Sequence, residues 1–576
     1  MSLARRQNVK DHLLEQIARV EASKRLGNPR ATAALRKAVP AFKRGDFKAA
    51  ALSAAEAAEA DAKSSSAFHL LALSLDNLGE RHKAFEMYER ALALDPTDAD
   101  LYLNIGTAAT ELHLYDGAEK AFRAYIELRP NCPKGYNNLG GCLRDKGDVD
   151  AAVEILRNAI YRIPDSPELW IMLGTVTGEM SEFETAQTFY REALRLDPKS
   201  ARAWHNLAYT INHTGPLEEA LRCYDRALEL CTNEADRIEM IHARGLCKVA
   251  VGQLEDGWIE YEQRHNPRFG QSNLFAAHAE RWDGEDLTGK TLLLIGEQGL
   301  GDEIMFAGLI PDMLEKVGPM GRLMVACDYR LVPLFERSFP GVKCGLEAHI
   351  THNAKNIRVA PWAKGEFKPD YYAPLGQPLP QIRKRLEQFP RQPFLKPDPA
   401  RIAFWRQRLT ALGPGPSVGI CWRSMLLTTQ RRKFFSPLEV WRGPLTLLGL
   451  KIVNLQYGDC AADLALARDK LGATITNFDD LDLKHNLDDN AALCAALDLV
   501  VAAPTAAAAL AASTGTETWF LTAGRVWPQL GTETYPWYAK TRVLTPNTFG
   551  DWPALMGKLA DELTAFTARS TISQSL

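Results

Sequence analysis

Large apolar side chains recur at a fixed interval through the first half of the chain. Aromatic residues stand 34 positions apart, at Phe68, Tyr102, Tyr136, Trp170 and Trp204. Prolines keep the same interval, at Pro96, Pro130, Pro164 and Pro198. Between them, apolar and small residues are spaced as on the buried faces of two amphipathic helices, and each proline ends the second helix. The pattern predicts a row of stacked helix pairs.

The 34-residue period is that of the tetratricopeptide repeat, a helix–turn–helix unit. Glycine or alanine at the eighth position and alanine at the twentieth allow the two helices of a unit to approach closely. Weaker copies flank the regular units, one from Ala31 and one from about Glu239, and are expected to cap the array. The sequence therefore predicts an α-solenoid of about seven repeats over residues 31–265, preceded by an N-terminal helix over residues 1–30.

Polar residues on the first helices of the units are candidates for binding a partner. Asparagine fills the sixth position of three units, at Asn104, Asn138 and Asn206, and His205 precedes the last of them. Such amides can hydrogen-bond the backbone of an extended peptide without reading its sequence. The alternative is that these side chains meet only water. The array itself implies a protein or peptide partner.

The hydrophobic pattern changes after residue 265. A segment rich in Asn, Pro, Gly and Ser predicts a linker over residues 266–289. Apolar strands then alternate with amphipathic helices over residues 290–390 and 391–567, before a flexible tail expected at 568–576. This alternation implies parallel sheets in two Rossmann-like domains that face a cleft. The strands are expected at TLLLIG, RLMVAC and NIRVA in the first block and at SVGICW, KIVNLQ, LDLVVAA and TETWFLT in the second.

Length and charge limit the class of protein. A chain of 576 residues exceeds what one hydrophobic core supports, which agrees with two or more domains. The formal net charge of −3 disfavours a protein that binds nucleic acid, because such a protein usually carries an excess of positive charge.

Cysteines and apolar stretches indicate the compartment. The ten cysteines contain no C-x-x-C pair, which favours reduced thiols over disulfides or a zinc site. The N-terminal residues include no apolar signal segment. The most apolar stretch, Leu499 to Ala512, is interrupted by Pro504 and is shorter than the roughly 20 residues of a membrane span. We therefore expect a cytoplasmic protein without a membrane span.

A glycine-rich loop follows the first strand of the second half. It reads GEQGLGDEIMF from Gly296 and places Gly299 and Gly301 just before a helix expected near Asp302. Backbone amides in such a loop can approach a ligand closely. A dinucleotide site is disfavoured because Ile304 stands where a third glycine is needed and Asp302 would face the pyrophosphate.

Several segments resemble bacterial tetratricopeptide-fused glycosyltransferases. They occur in the family's order, as YEQRH, GEQGLGDEIMF, VGICWRS, NLQYGD, DNAALCAALDLVVAAPTAAAALAASTG and PWY. The likeness runs from the last repeats to about Asp551 and implies the GT-B arrangement, similar to the heptosyltransferases. The overall layout also resembles repeat-fused enzymes that glycosylate flagellin in the cytoplasm.

The resemblance implies a chemical role for the glycine loop. In heptosyltransferase-like enzymes the Asp of a Gly-Asp pair is the base that deprotonates the acceptor hydroxyl, and Asp302 occupies that place. Glu297 in the same loop is the reserve candidate. The alternative for Asp302 is a structural role as a cap of the following helix. Gly299 and Gly301 are expected to approach the nucleotide-sugar donor.

In this family the second domain binds the donor. The resemblance implies that Arg423, after the strand VGICW, reaches the donor phosphate, and that Thr505 seats a phosphate at a helix N-terminus. Tyr457 is expected either to border the nucleotide or to be a buried strand end. Basic side chains on the loop after Arg423 also suit phosphate, with a solvated loop as their alternative. They are Arg431, Arg432 and Lys433.

Two positions depart from the family pattern and keep a second function open. The family has Asp before the Thr and His four residues after it, whereas this chain has Pro504 and Ala509. One hypothesis is a protein O-glycosyltransferase that modifies Ser or Thr of a polypeptide, such as flagellin, from a nucleotide sugar such as a CMP-activated nonulosonic acid. It needs no cofactor, and the absence of a ligand cluster disfavours a metal. The alternative is a non-catalytic adaptor with a degenerate transferase domain.

Overall fold

The structure is a computed structural model. It describes residues 28–270, 272–352, 355–425 and 427–575. Most of the N-terminal helix expected over residues 1–30 therefore lies outside the described residues.

Two compact units make up the described chain. The first comprises the described residues up to Thr210 together with Glu229–Arg237. The second comprises Ile211–Leu228 and the chain from Ile238 onward. The helical array predicted to end at residue 265 therefore continues along the sequence into the second unit.

Seven consecutive pairs of helices occupy the described residues from 28 to 261, as the period of 34 residues predicts. They are α1 Pro29–Lys43, α2 Phe47–Ala60, α3 Ser65–Asn77, α4 Arg81–Leu94, α5 Ala99–Glu111, α6 Tyr115–Leu128, α7 Pro133–Lys146, α8 Val149–Arg162, α9 Pro167–Glu179, α10 Phe183–Leu196, α11 Ala201–Thr214, α12 Leu217–Leu230, α13 Glu234–Ala250 and α14 Leu254–Tyr261.

Close packing inside each pair explains the small residues at the eighth position. A β-carbon at Gly106 would lie 2.6 Å from the Phe122 ring, and one at Gly174 would lie 2.7 Å from the Tyr190 ring. These distances are too short for a side chain, so the aromatic ring of the second helix packs directly on the backbone of the first.

The aromatic residue at the fourth position is tied to the preceding turn. Tyr102 donates a hydrogen bond from its hydroxyl to the carbonyl of Pro96 at 3.2 Å. Trp170 donates from its indole nitrogen to the carbonyl of Pro164 at 3.0 Å. Each aromatic side chain thereby packs its apolar ring and donates a hydrogen bond to a turn carbonyl. This bond fixes the spacing between the proline and the aromatic residue.

Parallel strands form two five-stranded sheets in the second unit. The first sheet has the strand order β2-β8-β3-β4-β5 and the second β10-β9-β11-β12-β13. A further small sheet has the order β1-β7-β6. The strands are β1 Leu274–Ala276, β2 Glu280–Arg281, β3 Thr291–Ile295, β4 Arg322–Cys327, β5 Lys343–Leu346, β6 Ala348–His352, β7 Lys355–Val359, β8 Tyr371–Pro374, β9 Ser417–Cys421, β10 Lys451–Asn454, β11 Leu499–Ala502, β12 Thr518–Leu521 and β13 Thr541–Leu544.

Helices connect these strands, as expected for parallel pairing. They are α15 Leu300–Phe306, α16 Ile310–Val317, α17 Val332–Ser338, α18 Leu379–Ile382, α19 Pro399–Ala411, α20 Thr429–Arg432, α21 Arg442–Leu445, α22 Ala461–Leu466, α23 Leu487–Ala496, α24 Ala506–Ser513 and α25 Trp552–Ser575.

The middle strand of each five-stranded sheet is fully buried. Leu292–Ile295 of β3 and Leu499–Ala502 of β11 are shielded from solvent, which explains their unbroken apolar sequences. Ligands of parallel α/β sheets bind at the carboxyl ends of the strands, in the loops that follow them. The loops after β3 and β11 are therefore candidate ligand-binding positions.

The structure differs from three of the expectations about the second half. The linker expected over residues 266–289 contains β1 and β2, and β2 joins the first sheet beside β8. The NIRVA strand is β7, which pairs with β6 in antiparallel fashion in the small sheet rather than extending the first. The tail expected at residues 568–576 is helical as far as Ser575. Short strands in polar, glycine-rich sequence give little periodic signal, which is why β2 is not visible in the sequence.

Candidate functional site

A pocket of about 380 Å³ opens in the second unit between the loops that follow β3 and β11. Its size is in the range of small-molecule sites. Six of the residues predicted from the sequence line it, namely Gly299, Gly301, Asp302, Arg431, Tyr457 and Thr505.

Asp302 is the acidic group of this pocket. It is the third residue of α15, and its carboxylate accepts the backbone N–H of Gly299 at 3.3 Å. The structural alternative, a cap for this helix, is therefore realised. Its pKa is raised to about 6, mainly by burial and also by the negative charge of Glu297, while the Gly299 N–H and Arg431 oppose the rise. A carboxylate with such a pKa is suited to accept a proton near neutral pH.

Gly301 lies at the point where the two loops approach each other. A β-carbon there would lie 3.5 Å from the backbone nitrogen of Ala506 and 3.6 Å from the carbonyl carbon of Thr505. The N-terminus of α24 thus lies directly beside the start of α15 within the second unit.

The N-terminus of α24 presents backbone donors to the pocket. Ala506 and Ala507 line the pocket, and the first amide that bonds back to Thr505 is that of Ala509, at 3.0 Å. Amides in the first turn of a helix lack helical acceptors and favour an anion. The Thr505 hydroxyl is buried and donates to the Cys421 sulfur at 3.5 Å.

Three cationic side chains line the same pocket. Arg330 is held by two bonds to Asp328, both 2.8 Å long, and donates to the carbonyl of Lys484 at 2.8 Å. Among the described residues, Arg431 and Lys484 have no salt-bridge partner. Positive charge in a pocket favours an anionic ligand. Arg330 and Lys484 are not predicted from the sequence, since neither belongs to a recognisable motif.

An aromatic wall closes one side of the pocket. The Tyr535 ring stacks on Phe520 with centroids 4.2 Å apart, and Tyr538 stacks near the same ring at 6.2 Å. The Tyr535 hydroxyl is buried without a hydrogen-bond partner in the described part of the chain. The sequence motif PWY includes Tyr538, but no sequence feature singles out Tyr535.

Four predicted residues do not line the pocket. Glu297 is buried, and Arg264 and His265 hold its pKa well below the ordinary value although burial opposes this, so the structure gives it no role as a base. Arg423 binds the Asp463 carboxylate through two nitrogens, at 3.0 and 2.7 Å, instead of facing the pocket. Arg432 is exposed at the end of α20, and Lys433 lies over the Phe434 ring at 5.6 Å.

Two of the repeat residues expected to bind a partner, Asn104 and Asn206, make polar contacts with other side chains of the chain. Asn104 is buried and its amide lies 2.8 Å from the His69 ring nitrogen. Asn206 donates to Thr175 at 3.4 Å.

The other two residues expected to bind a partner, Asn138 and His205, also interact with neighbouring residues of the repeats. Asn138 accepts from Asn137 at 3.2 Å. Burial lowers the pKa of His205 to about 4, with Arg202 adding to the effect, so this ring is neutral at pH 7. All four predicted residues therefore interact within the array, a role that their positions in the period alone do not reveal.

The two positions that depart from the family pattern both lie at the pocket. Pro504 is exposed and Ala509 is buried, and both contribute to the lining. Pro504 and Ala509 supply neither the carboxylate nor the imidazole that the family has at these two positions. The described residues contain no group of three or more His, Cys, Asp or Glu side chains arranged to hold a metal ion. Within the same residues, every helix is too short or too polar to cross a membrane.

Comparison with known proteins confirms the repeats. Tetratricopeptide repeat families match residues 69–131, 103–167, 167–200 and 189–222. These matches fall on regular units of the 34-residue pattern.

The protein FlbA of Caulobacter vibrioides is 43% identical to this chain over 334 residues. The match covers 58% of this chain and 56% of FlbA, so the chain corresponds to little more than half of FlbA's length. A match of 334 residues is longer than the entire segment from residue 1 to 265, and part of it must lie in the second half.

Among solved structures, the likeness is to helical repeat proteins. The pilF protein of Pseudomonas aeruginosa is 20% identical, with 35% of this chain and 88% of that chain covered and a TM-score of 0.29. A thermophilic repeat protein of Thermus thermophilus is 24% identical, with 31% and 98% covered and a TM-score of 0.28. MamA of Desulfovibrio magneticus is 18% identical, with 30% and 96% covered and a TM-score of 0.28.

Proposed function

We propose that the second unit is a GT-B glycosyltransferase that transfers a sugar from a nucleotide-sugar donor to Ser or Thr of a polypeptide held by the repeats. Asp302 acts as the base that takes the proton of the acceptor hydroxyl. The donor phosphate binds at the N-terminus of α24, close to Arg431 and Lys484. The transfer uses no metal, and the protein works in the cytoplasm.

One observation supports this proposal more strongly than any other. A carboxylate whose pKa is raised to about 6 shares one pocket with free helix amides and cationic side chains. Sugar transfer needs both kinds of group, because the acceptor must lose a proton and the leaving phosphate must have its charge stabilised. The two five-stranded parallel sheets, each placing one of these groups after its middle strand, agree with a GT-B arrangement.

The acceptor in this proposal is flagellin, and the donor is a CMP-activated nonulosonic acid. Such a donor carries one phosphate rather than two. The loss of the family's Asp and His at Pro504 and Ala509 changes the donor side of the pocket, which suits a donor that differs from a sugar diphosphate. The tetratricopeptide repeats support a protein as the acceptor.

Intact-mass spectrometry tests the proposal. The purified full-length chain is incubated with flagellin and the nucleotide sugar, beside an Arg431→Glu variant and a matched Arg432→Glu variant. We expect a mass increase of one or more sugars with wild type and Arg432→Glu, and little with Arg431→Glu, because only Arg431 lines the pocket. Equal modification with both variants would contradict the assigned donor side.

A non-catalytic adaptor is the second candidate, favoured by the changes at Pro504 and Ala509. It predicts binding of flagellin by the full chain without any mass increase, even with the complete sugar pathway present in the same cell. It also predicts that nucleotides leave the thermal stability of the chain unchanged, since a ligand that binds the folded state raises it.

A further inference from the structure

The segment Tyr261–His265 closes the last helix pair and continues into the second half of the chain. α14 ends at Tyr261, and a single turn of 3-10 helix follows over Glu262–His265. This is the YEQRH motif of the sequence, to which neither the repeats nor the pocket assigns a role.

Arg264 and His265 enclose the carboxylate of Glu297. The guanidinium of Arg264 donates to both carboxylate oxygens, at 2.9 and 3.2 Å, and His265 Nε2 lies 2.9 Å from one of them. The backbone N–H of Gly376 donates to the other oxygen at 2.6 Å. The Arg264 and Glu297 side chains are 5% and 1% exposed. A buried carboxylate with all its acceptor positions filled is held in one place.

The next residue of the loop is held by the same motif. The Gln298 amide donates to the Tyr261 hydroxyl at 2.5 Å, and the Arg264 guanidinium lies 3.9 Å above the Tyr261 ring. Gln298 has a positive φ of 59°, which is unfavourable for a residue with a side chain and persists only where surrounding contacts impose it. Arg358 supports the loop from the other side, donating to the carbonyls of Gly296 and Gln298.

We propose that Tyr261, Arg264 and His265 are positioning residues that fix the loop 296–298 and thereby place Asp302 at the pocket. Asp302 lies four residues after Gln298, and its helix begins directly after this loop. We call these three residues the clamp. Without the clamp, the backbone at Gln298 can leave its positive φ, and the start of α15 moves with the loop. The consequence for sugar transfer rests on the proposed function, whereas the effect on the loop does not.

Hydrogen exchange measured by mass spectrometry on the full-length chain tests the clamp without any assay of activity. Arg264→Gln, Arg264→Lys and Tyr261→Phe are compared with a matched control, Arg244→Gln. Arg244 makes an equally short bidentate pair with Glu260 in the same helix pair but has no bond to the loop.

We expect Arg264→Gln to raise the exchange rate of the peptide around residues 296–302, and of the Gly376 amide, by at least about ten-fold. Arg264→Lys and Tyr261→Phe should give smaller increases, which keeps the test informative if Arg264→Gln does not fold. Arg244→Gln should leave this peptide unchanged. Equal exchange in the Arg264 variants and the Arg244 control, at equal loss of thermal stability, would overturn the proposal.

The transfer rate supplies a second readout. The charged groups facing Asp302 are Glu297 and Arg431, and the hydroxyls of Tyr261, Tyr535 and Tyr538 also lie near it. We expect Arg264→Lys to lower kcat and to shift the acidic limb of the pH profile of kcat. The KM for the donor should change by no more than about two-fold, because the donor side is untouched. An unchanged kcat and pH profile would contradict the clamp. If wild type transfers nothing, the proposed function fails while the exchange experiment still decides the clamp.

Discussion

The two loops that face the pocket are held in opposite ways. The loop after β3 is clamped by buried ion pairs, and its acid, Asp302, has a raised pKa. The loop after β11 leads into α24, whose small first residues, Ala506 and Ala507, line the pocket with helix amides open to it. Two cations beside it, Arg431 and Lys484, have no salt bridge among the described residues.

In the proposed function, the β3 side supplies the proton acceptor and the β11 side supplies the anion site. A group that removes a proton must be held at a fixed distance from its substrate, so anchoring on the β3 side has a clear use. In the proposed function, the positive groups on the β11 side attract the donor phosphate and contribute to its binding energy. The following predictions test each side separately.

The largest expected effect concerns the anion side. Replacing Arg431 and Lys484 together by Gln should weaken binding of CMP by about 100-fold, about ten-fold for each charge-assisted bond lost. Lys433→Gln is the matched control, because Lys433 lies on the same loop but outside the pocket. Titration calorimetry at two salt concentrations measures the affinities. Similar losses for Lys433→Gln would mean that general charge, not the pocket, attracts the nucleotide.

In the proposed function, Asp302 sets the pH dependence of transfer. A base must be deprotonated, and the pKa of Asp302 is raised to about 6, so the rate should be constant above pH 7 and fall about ten-fold per pH unit well below 6. Single-turnover rates between pH 5 and 8 measure this, with tryptophan fluorescence to verify that the chain stays folded. A flat profile across pH 6 would remove Asp302 as the base.

A second buried acid near the clamped loop should affect stability instead of activity. Burial raises the pKa of Glu303 to about 8, and the charge of Glu347 adds to the rise. Its stabilising protonated form is present below the unfolded pKa, near 4.5, and is lost as the pH rises through 8. The free energy of unfolding of the Glu303→Gln variant should therefore be about 1–3 kcal/mol higher than that of wild type between pH 5 and 9.

Urea unfolding at several pH values measures this gain, with Glu315→Gln as the control. Glu315 is exposed on α16, so its replacement should change stability little at any pH. A Glu303→Gln effect that does not vary with pH would show that Glu303 is ionised throughout.

The smallest effect is expected at the aromatic wall. The Tyr535 hydroxyl is buried without a partner among the described residues, so Tyr535→Phe should be at least as stable as wild type and lose at most about five-fold in transfer rate. Tyr538→Phe is the control, because Ser513 is a polar neighbour that stabilises the Tyr538 hydroxyl, and loss of this hydroxyl should lower Tm. Equal destabilisation by both variants would indicate that Tyr535 has a structural partner.

The sequence predicts the repeats and the two sheets well because their signals are local. A tetratricopeptide unit contacts mainly its neighbours, so the 34-residue period contains the packing of Gly106 on Phe122. The same holds for β3 and β11, whose unbroken apolar runs reflect complete burial.

Most of the site depends on contacts between distant residues. Arg330, Lys484 and Tyr535 reach the pocket from separate loops, and no spacing in the sequence brings them together. Glu297 illustrates the opposite problem, since its place in the glycine loop suggested a base while its partner Arg264 lies 33 residues earlier. Only the folded structure shows that the loop's first acid, Glu297, is held by Arg264 and that the second, Asp302, lines the pocket.

The most direct test of the central claim compares wild type with Asp302→Asn. Asparagine keeps an acceptor for the Gly299 N–H and the shape of the side chain but cannot take a proton. In single-turnover transfer to flagellin, followed by intact mass, we expect Asp302→Asn to be slower by about 100-fold or more at unchanged CMP affinity. Equal rates for the two proteins would contradict a catalytic role for Asp302 and with it this account of the pocket.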